Sequence, residues 1–420
     1  MANSNSFQVI LTSPTLELNG VNVFSVNLVR GLLERGISAS ILITDPHRKE
    51  EIPMEIPERI PIDQLPVPKE ASWQQRWQIL IKYLEDRTPC IYVPNYDWKY
   101  SSISPKLSNK VGVVGIVHSD DERHYEHANR LGDYWNAIVA VSQFTAQKTI
   151  DLKPHLSQKV VPIPIGVSIP ECLPSKPMQK ESDSSPINLI YAGKIKQVQK
   201  RVFDLPKIFE ALQARKVPFK VKILGDGPAQ KELISLCDKF LKEGIVEFTG
   251  LLSNQLTHQH LEESEVILLT SEYEGLPNVI VEAMGRGCIP IVTDIKSGIS
   301  ELVKDGYNGY LVPIGDIQEF ANRIAFLQKN RETMNELKTN AFRTVYGSQY
   351  SVERMVDSYL DLFTKIIEQP SGIYKRKKGN VLPHPSLQNS IKSKNRLQIV
   401  WSKIVRSPRK LMTLIIGLKS

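Results

Sequence analysis

Two glutamates, Glu274 and Glu282, carry the strongest chemical signal in the sequence. An apolar run over 266–270 predicts a strand. A polar loop follows it, and then a helix that Pro277 can begin and Gly287 can end. Glu274 is then in the loop and Glu282 is inside the helix. The first N–H groups of such a helix have no intrahelical partner, so they favour an anion such as phosphate. A carboxylate beside a phosphate site is suited to accept hydrogen bonds from sugar or ribose hydroxyls.

The segment around these glutamates resembles the donor-site signature of retaining, family-four glycosyltransferases with the GT-B fold (glycosyl transferases group 1). The runs SEYEGLPN at 271–278 and EAMGRGCIPI at 282–291 carry the resemblance. It implies that Glu274 is catalytic and contacts donor-sugar hydroxyls, and that Glu282 binds the ribose of the nucleotide. It also implies donor-binding residues in the intervening loop, namely Gly275, Leu276, Pro277 and Asn278. The alternative is that the two glutamates are a solvated loop residue and a helix surface charge.

Strand and helix signals alternate through most of the chain, which predicts an α/β fold. With 420 residues, the chain is long enough for two domains with complete cores. The resemblance implies two Rossmann-like doubly wound domains that face a central cleft. The predicted parts are an acceptor-side domain (1–168), a linker (169–186), a nucleotide-sugar donor domain (187–349), a helix that packs back on the first domain (350–367) and a basic, partly amphipathic tail (371–420).

The N-terminal residues predict the first crossover of a parallel sheet. A strand over 7–11 precedes a loop, and Gly20 then opens a helix that leads to a strand over 38–44. Ligands of such sheets bind outside the carboxyl ends of the strands, so the loop before Gly20 is expected to face the cleft. The resemblance places Gly20 against the donor diphosphate. Asn19 precedes it here, where many relatives have a second glycine.

His118 follows a strongly apolar run over 111–117 that predicts a buried strand. Ser119 or Asp120 can cap the helix that comes next. A cap does not require His118, and the motif VHSDD resembles one in the suspected family. The resemblance implies that His118 is catalytic and contacts the transferred sugar near the leaving group.

Two lysines follow the predicted strand over 187–192 and can hold a diphosphate from two sides. The resemblance implies this role for Lys194 and Lys200, with Lys200 also catalytic. The family pattern is Gly-Arg followed by Lys six residues later, so Lys194 stands in place of the arginine. The alternative is that both are surface lysines.

Further along the chain, Gly225 opens the turn GDGP. In the family this turn lies near the nucleotide base, and here it lacks the third glycine of a dinucleotide fingerprint.

Charge is distributed unevenly along the chain. The net charge is +8, but the segment 371–420 holds twelve of the 53 basic residues and none of the 45 acidic ones. The first 370 residues are therefore mildly acidic, which argues against a nucleic-acid-binding body. Within the tail, 396–418 mixes apolar and basic residues. It is expected either to lie on an anionic membrane surface or to be a solvated, disordered tail.

The sequence predicts a cytoplasmic protein, peripheral to the membrane at most. The four cysteines are scattered without a CxxC pair, which is typical of a reducing compartment. The N-terminus does not have the pattern of a signal peptide, and no apolar run reaches about 18 residues. No cofactor or metal is expected, because the chain contains no Asp-x-Asp pair of the kind that metal-dependent glycosyltransferases use.

The function predicted from these observations is transfer of a sugar from a nucleoside diphosphate to a hydroxyl acceptor, with retention of configuration. The partners are then a nucleotide-sugar donor and an acceptor of unknown type, such as a polysaccharide or a lipid carrier. Several alternatives stay open: a glycoside hydrolase using the two glutamates, a nucleotide-sugar epimerase of the same fold, and an inactive nucleotide-sugar-binding or scaffold protein. A dehydrogenase and a P-loop enzyme are disfavoured, because their glycine motifs are missing.

Overall fold

A computed structural model of the chain describes residues 7–48, 54, 56–174, 185–368 and 374–387. The first domain contains strands β1 (Gln8–Ser13), β2 (Ser38–Ile43), β3 (Ile62–Gln64), β4 (Cys90–Val93), β5 (Val111–Val117), β6 (Ala137–Ala140) and β7 (Val160–Pro162). Its helices are α1 (Gly20–Glu34), α2 (Trp73–Glu85), α3 (Glu122–Leu131) and α4 (Gln143–Leu152). The strands form one parallel sheet in the order β3-β2-β1-β4-β5-β6-β7.

The second domain repeats this plan with a six-stranded parallel sheet in the order β10-β9-β8-β11-β12-β13. Its strands are β8 (Ile187–Ala192), β9 (Phe219–Leu224), β10 (Val246–Gly250), β11 (Val266–Leu269), β12 (Ile289–Thr293) and β13 (Tyr310–Val312). Its helices are α5 (Gln197–Lys200), α6 (Asp204–Ala214), α7 (Gln230–Leu236), α8 (Asp238–Lys242), α9 (Asn254–Glu263), α10 (Asn278–Met284), α11 (Gly298–Leu302), α12 (Ile317–Lys329) and α13 (Arg331–Val345), followed by α14 (Val352–Glu368).

This architecture confirms the predicted fold class of two doubly wound domains. The strand β5 is buried at every position, because helices cover both faces of a parallel sheet. The helix α1 begins where predicted, since the Asn19 side chain accepts hydrogen bonds from the N–H groups of Val21 and Asn22. Among the described residues, no helix combines the length and apolar character that crossing a bilayer requires.

The helix α14 packs against α1 of the first domain. Tyr359 lies with its ring centroid 5.7 Å from that of Phe24. Gly31 allows the close approach, because a Cβ at this position would lie 2.4 Å from Val356. The chain enters this helix beside the end of the first domain, where Val167 pairs with Ser351. One apolar cluster therefore contains residues of both domains.

The start of the basic tail is packed and not solvated. Residues 374–387 lie on the first domain, where buried Arg376 donates hydrogen bonds to the main-chain carbonyls of Ser104, Leu107, Ser108 and Val111. The predicted basic tail therefore begins with a packed segment, which a charge count alone does not reveal. The amphipathic segment 396–418 lies outside the described residues.

Two local predictions were also wrong. The helix after His118 is capped by Asp121 and not by Ser119 or Asp120, since the Asp121 side chain accepts from the Arg123 N–H. Asp120 instead binds the Tyr125 hydroxyl and Lys148. The apolar run VVPIPIGV at 160–167 predicts one continuous strand that ends the first domain, but the strand β7 ends at Pro162. Most of the predicted linker, 175–184, lies outside the described residues.

Candidate active site

The predicted phosphate lysine and the predicted sugar carboxylate form an ion pair. Lys200 ends the short helix α5, and its Nζ lies 2.5 Å from Glu274 Oε1 in the loop after β11. Ser271 donates a hydrogen bond of 2.6 Å to the same oxygen. The side chains of Lys200 and Glu274 are 16% and 8% exposed. An ion pair this sheltered from water interacts more strongly than a surface pair.

Hydrogen bonds to main-chain carbonyls fix the two loops that carry this pair. The Glu272 N–H donates to the Gln199 carbonyl at 2.8 Å, and the Thr270 hydroxyl donates to the Lys200 carbonyl at 2.7 Å. Arg201 has a left-handed backbone with φ +47° and ends the helix directly after Lys200. The Lys200 side chain is thereby directed at Glu274 by the fold and not only by its charge.

Residues of both domains meet at the cleft. A Cβ built on Gly275 would lie 3.0 Å from the His118 carbonyl oxygen and 3.0 Å from Ser119 Cα. A Cβ on Gly20 would lie 3.7 Å from Asn278 Nδ2. The carboxyl ends of β1 and β5 therefore face the loop after β11, and the structure brings Gly20, His118, Gly275 and Asn278 to one crevice.

His118 is buried at the end of β5. Its Nε2 lies 2.5 Å from Asn95 Oδ1, while its Nδ1 is buried without a hydrogen-bond partner among the described residues. Burial, together with a smaller contribution from nearby His124, lowers the pKa of His118 to about 3. His118 is therefore a neutral imidazole across the physiological range.

The helix after the glutamate loop is shorter than predicted. Pro277 is its N-cap and not its first helical residue, and α10 spans only Asn278–Met284. The helix ends before Gly287 because the chain leaves it at Gly285. Leu276 is buried and packs near Gly298, whose N–H donates to the Gly275 carbonyl at 2.7 Å. This bond holds the loop ahead of the helix.

Glu282 lies on α10, and its Oε1 is 3.7 Å from His258 Nε2. This nitrogen is buried and has no hydrogen-bond partner within the described part of the chain. Sequence reasoning missed His258, because it lies on α9 far from any motif. It also missed Asn95 and Ser271, although both follow the carboxyl end of a parallel strand, where ligand-binding loops lie.

Lys194 is exposed beyond β8 and takes no part in the Lys200–Glu274 pair. Its carbonyl accepts a hydrogen bond from the Tyr191 hydroxyl at 3.0 Å. The turn at Gly225 packs closely on the turn at Gly193. Only glycine fits there, because a Cβ on Gly225 would lie 2.0 Å from the Gly193 carbonyl oxygen. Gly225 also has φ +126°, which favours glycine. The structure thus brings Lys194 and Gly225 to adjacent turns.

Two doubly wound domains, with a charged pair on one side of the crevice and a buried histidine on the other, define a protein of the GT-B class. A mutant of TarM from S. aureus, solved with fondaparinux, alpha-GlcNAc-glycerol and UDP, has this fold. It superposes with a TM-score of 0.69 at 13% identity, covering 85% of this chain and 99% of that one. Residues 175–344 match the family model of glycosyl transferases group 1. Through its second domain, the chain belongs to that family.

Two curated relatives are similar to parts of the chain. WcaL of Salmonella typhimurium, a glycosyltransferase provisionally named for colanic acid biosynthesis, is 34% identical over 158 residues, which are 36% of this chain and 39% of WcaL. The lipopolysaccharide 1,6-galactosyltransferase of Escherichia coli is 30% identical over 272 residues, which are 60% of this chain and 66% of that enzyme. The chain therefore aligns with about two fifths of the first of these relatives.

Proposed function

We propose that this protein is a retaining glycosyltransferase that moves a sugar from a nucleoside diphosphate to a hydroxyl acceptor. The observation that carries the proposal is the Lys200–Glu274 pair, which lies in the donor domain beside a loop that contacts His118 of the first domain. A cation for the diphosphate and a carboxylate for the sugar are then adjacent at the crevice. The names of the relatives support transfer over epimerisation or mere binding.

The leaving group of this reaction is a diphosphate that gains negative charge as the glycosidic bond breaks. Preorganised positive charge aimed at that group stabilises the transition state most. Lys200 and the first N–H groups of α10 supply it, with Lys194 as a further cation at the adjacent turn. The three N–H bonds of an ammonium allow Lys200 to keep Glu274 while it donates to phosphate. Glu274 then orients the sugar, and the departing phosphate takes the acceptor proton.

A carboxylate pair for glycoside hydrolysis is disfavoured by the surroundings of the two glutamates. Glu274 is bonded to Lys200 and Ser271, and Glu282 lies beside His258. In the proposed scheme Lys200 holds a diphosphate, a group that a hydrolase does not bind. The scheme uses lysines and main-chain N–H groups for the charge, so we expect activity to persist after treatment with EDTA.

The experiment that tests the function is a donor panel. The full chain is incubated with UDP-, GDP- and ADP-sugars, and release of the diphosphate is followed with and without candidate glycan acceptors. We expect turnover with one nucleotide, and UDP is the first choice because the TarM structure contains it. Binding of a nucleotide sugar without any turnover would instead support the inactive binding protein.

We also propose that the protein works at the cytoplasmic face of the membrane, with 396–418 on anionic lipid. The support is the sequence alone, with its interspersed basic and apolar residues. Truncation after Leu387 is the sharper test, because it removes this segment and leaves the packed residues 374–387 in place. We expect loss of sedimentation with phosphatidylserine liposomes and unchanged donor turnover. Equal sedimentation of both forms would contradict the proposal.

A further inference from the structure

Three hydrogen bonds in series lead from α1 to His118. The Ser25 hydroxyl donates to the Val21 carbonyl at 2.9 Å, the Asn95 amide donates to Ser25 Oγ at 2.8 Å, and His118 Nε2 lies 2.5 Å from Asn95 Oδ1. Ser25, Asn95 and His118 are all buried. They come from α1 and from the segments that follow β4 and β5, so three neighbouring segments of the first domain contribute one residue each.

The Val21 carbonyl at the end of this series determines the direction of every hydrogen bond in it. A main-chain carbonyl can only accept, so the single proton of Ser25 is committed to Val21. Ser25 Oγ must then accept, which it can do from the amide nitrogen of Asn95. The oxygen of that amide therefore faces His118 and can only accept. Consequently the proton of the neutral imidazole resides on Nε2, and Nδ1 offers a lone pair.

The backbone of Asn95 is adapted to this role. Its φ of +47° lies in the left-handed region, where asparagine is one of the few side chains regularly tolerated. This conformation lets one amide reach both Ser25 and His118. The other ring nitrogen, Nδ1, is buried and lacks a partner among the described residues. Buried polar atoms in native proteins nearly always have a partner, so a ligand is the natural candidate.

We infer that Val21, Ser25 and Asn95 form a positioning relay that holds His118 as the Nε2–H tautomer, with Nδ1 accepting a hydrogen bond from a donor-sugar hydroxyl. The inference rests on the proposed function, because it requires a sugar at the cleft. It makes His118 a hydrogen-bond acceptor and excludes it as a proton donor to the leaving group. The preferred donors are then sugars that carry a free hydroxyl at the position facing His118.

The tautomer can be measured on the substrate-free protein, so this test does not depend on the proposed function. Histidine labelled with ¹³C and ¹⁵N is incorporated into the full chain, and the His118 signals are assigned by their loss in His118→Gln. We expect the Nε2–H tautomer from pH 5 to 8. The Nδ1–H tautomer, or an imidazolium in that range, would overturn the inference.

Two variants of Asn95 test the consequence for donor use, with UDP-glucose, UDP-galactose and UDP-N-acetylglucosamine as probes. Asn95→Gly fits the backbone and removes the relay. We expect kcat/KM for the donor to fall about tenfold or more, while the Kd for bare UDP is unchanged. A matched control is Lys216→Gly, another left-handed residue (φ +56°) outside the relay, which should leave both values unchanged. A wild-type kcat/KM in Asn95→Gly would overturn the inference.

Asn95→Asp separates positioning from mere packing. The carboxylate still accepts from Nε2–H and takes the Ser25 hydroxyl proton in place of the Val21 carbonyl, but its negative charge raises the pKa of His118. Protonation then puts a hydrogen on Nδ1, which no longer accepts. We expect kcat/KM of this variant to fall as the pH is lowered from 8 to 5, and to recover toward wild type at high pH. A profile parallel to that of the wild type would overturn the inference.

Discussion

Lys200 Nζ lies 2.5 Å from Glu274 Oε1, which links the cation expected at the diphosphate to the carboxylate expected at the sugar. Ser271 donates to the same carboxylate oxygen and fixes its position. Because the two groups are partnered before a donor arrives, neither charge is isolated in the partly buried loop. Donor binding then needs a redistribution of hydrogen bonds around one ammonium and not a large movement of the chain.

Replacement of Glu274 by Gln should slow transfer strongly but leave nucleotide binding intact. The amide keeps the volume of the side chain but loses the charge that orients the sugar, so we expect kcat to fall about 100-fold. Affinity for bare UDP should be unchanged or higher, because Lys200 is released from its partner. The matched control is Glu272→Gln on the same loop, whose side chain is 47% exposed and pairs with Arg201. Near-normal turnover in Glu274→Gln would show that the assigned role is wrong.

Replacement of Lys200 by Met should weaken UDP binding about tenfold or more, since a charge-assisted bond to phosphate is lost. Affinity for uridine, which has no phosphate, should not change. Lys207→Met is the control, because Lys207 is an exposed lysine on α6 that pairs with Asp204. Calorimetric titration with the two ligands distinguishes the outcomes. Equal weakening for UDP and uridine would mean that Lys200 supports the fold and not the diphosphate.

Gly225→Ala should destabilise the donor domain more than Gly244→Ala. Both glycines have positive φ, but a Cβ at 225 would lie 2.0 Å from the Gly193 carbonyl, whereas nothing lies within 4 Å at 244. We expect a loss in the free energy of unfolding of about 1 kcal/mol at 244 and ~3 kcal/mol at 225. Chemical denaturation measures both. Equal losses would indicate that the turns after β8 and β9 are not packed together.

Burial of histidines should make the protein less stable as the pH falls from 6.5 to 5. The pKa values of His118, His124 and His127 are all lowered by burial, so unfolding takes up their protons in this range. Asp97 offsets the effect of one histidine. Burial raises the pKa of Asp97 to about 7, so the folded protein itself binds a proton in this pH range. Because more histidines shift in this way than aspartic acids oppose them, we expect a net loss of stability as the pH falls.

Asp97→Asn tests this balance. Removing the group that takes up a proton in the folded state should steepen the loss of stability by ~1.4 kcal/mol per pH unit. Urea denaturation at pH 6.5 and pH 5 measures the slope. An unchanged slope in Asp97→Asn would contradict the assigned protonation of Asp97 in the folded protein.

Apolar runs in the sequence were sufficient to predict the strands that are buried on both faces of the sheet. The strands at 111–117 and 187–192 lie where the apolar runs predicted them. A strand in a parallel sheet is covered by helices on both faces and is therefore a continuous apolar segment in the sequence. Its first and last residues can then be predicted from composition alone. The helix α10 is shorter than its apolar pattern predicted, because Pro277 and Gly285 take the capping positions.

The site could be predicted only where a motif named its residues. Glu274 and Lys200 are 74 positions apart, and their pairing depends on how the loops after β8 and β11 meet. Asn95 and His258 belong to no motif and were not predicted. Arg376 was counted as part of a basic tail, yet it is buried against four carbonyls of the first domain. Such contacts follow from the tertiary packing and leave no periodic trace in the sequence.

The crystal structure of the protein with UDP tests the central claim most directly. We predict that the diphosphate lies in the crevice between the domains, within hydrogen-bond distance of Lys200 Nζ and of the first N–H groups of α10. The ribose hydroxyls should then reach Glu282, and Glu274 should face the space where the sugar is attached. A diphosphate bound away from Lys200, or a nucleotide outside this crevice, would contradict the account.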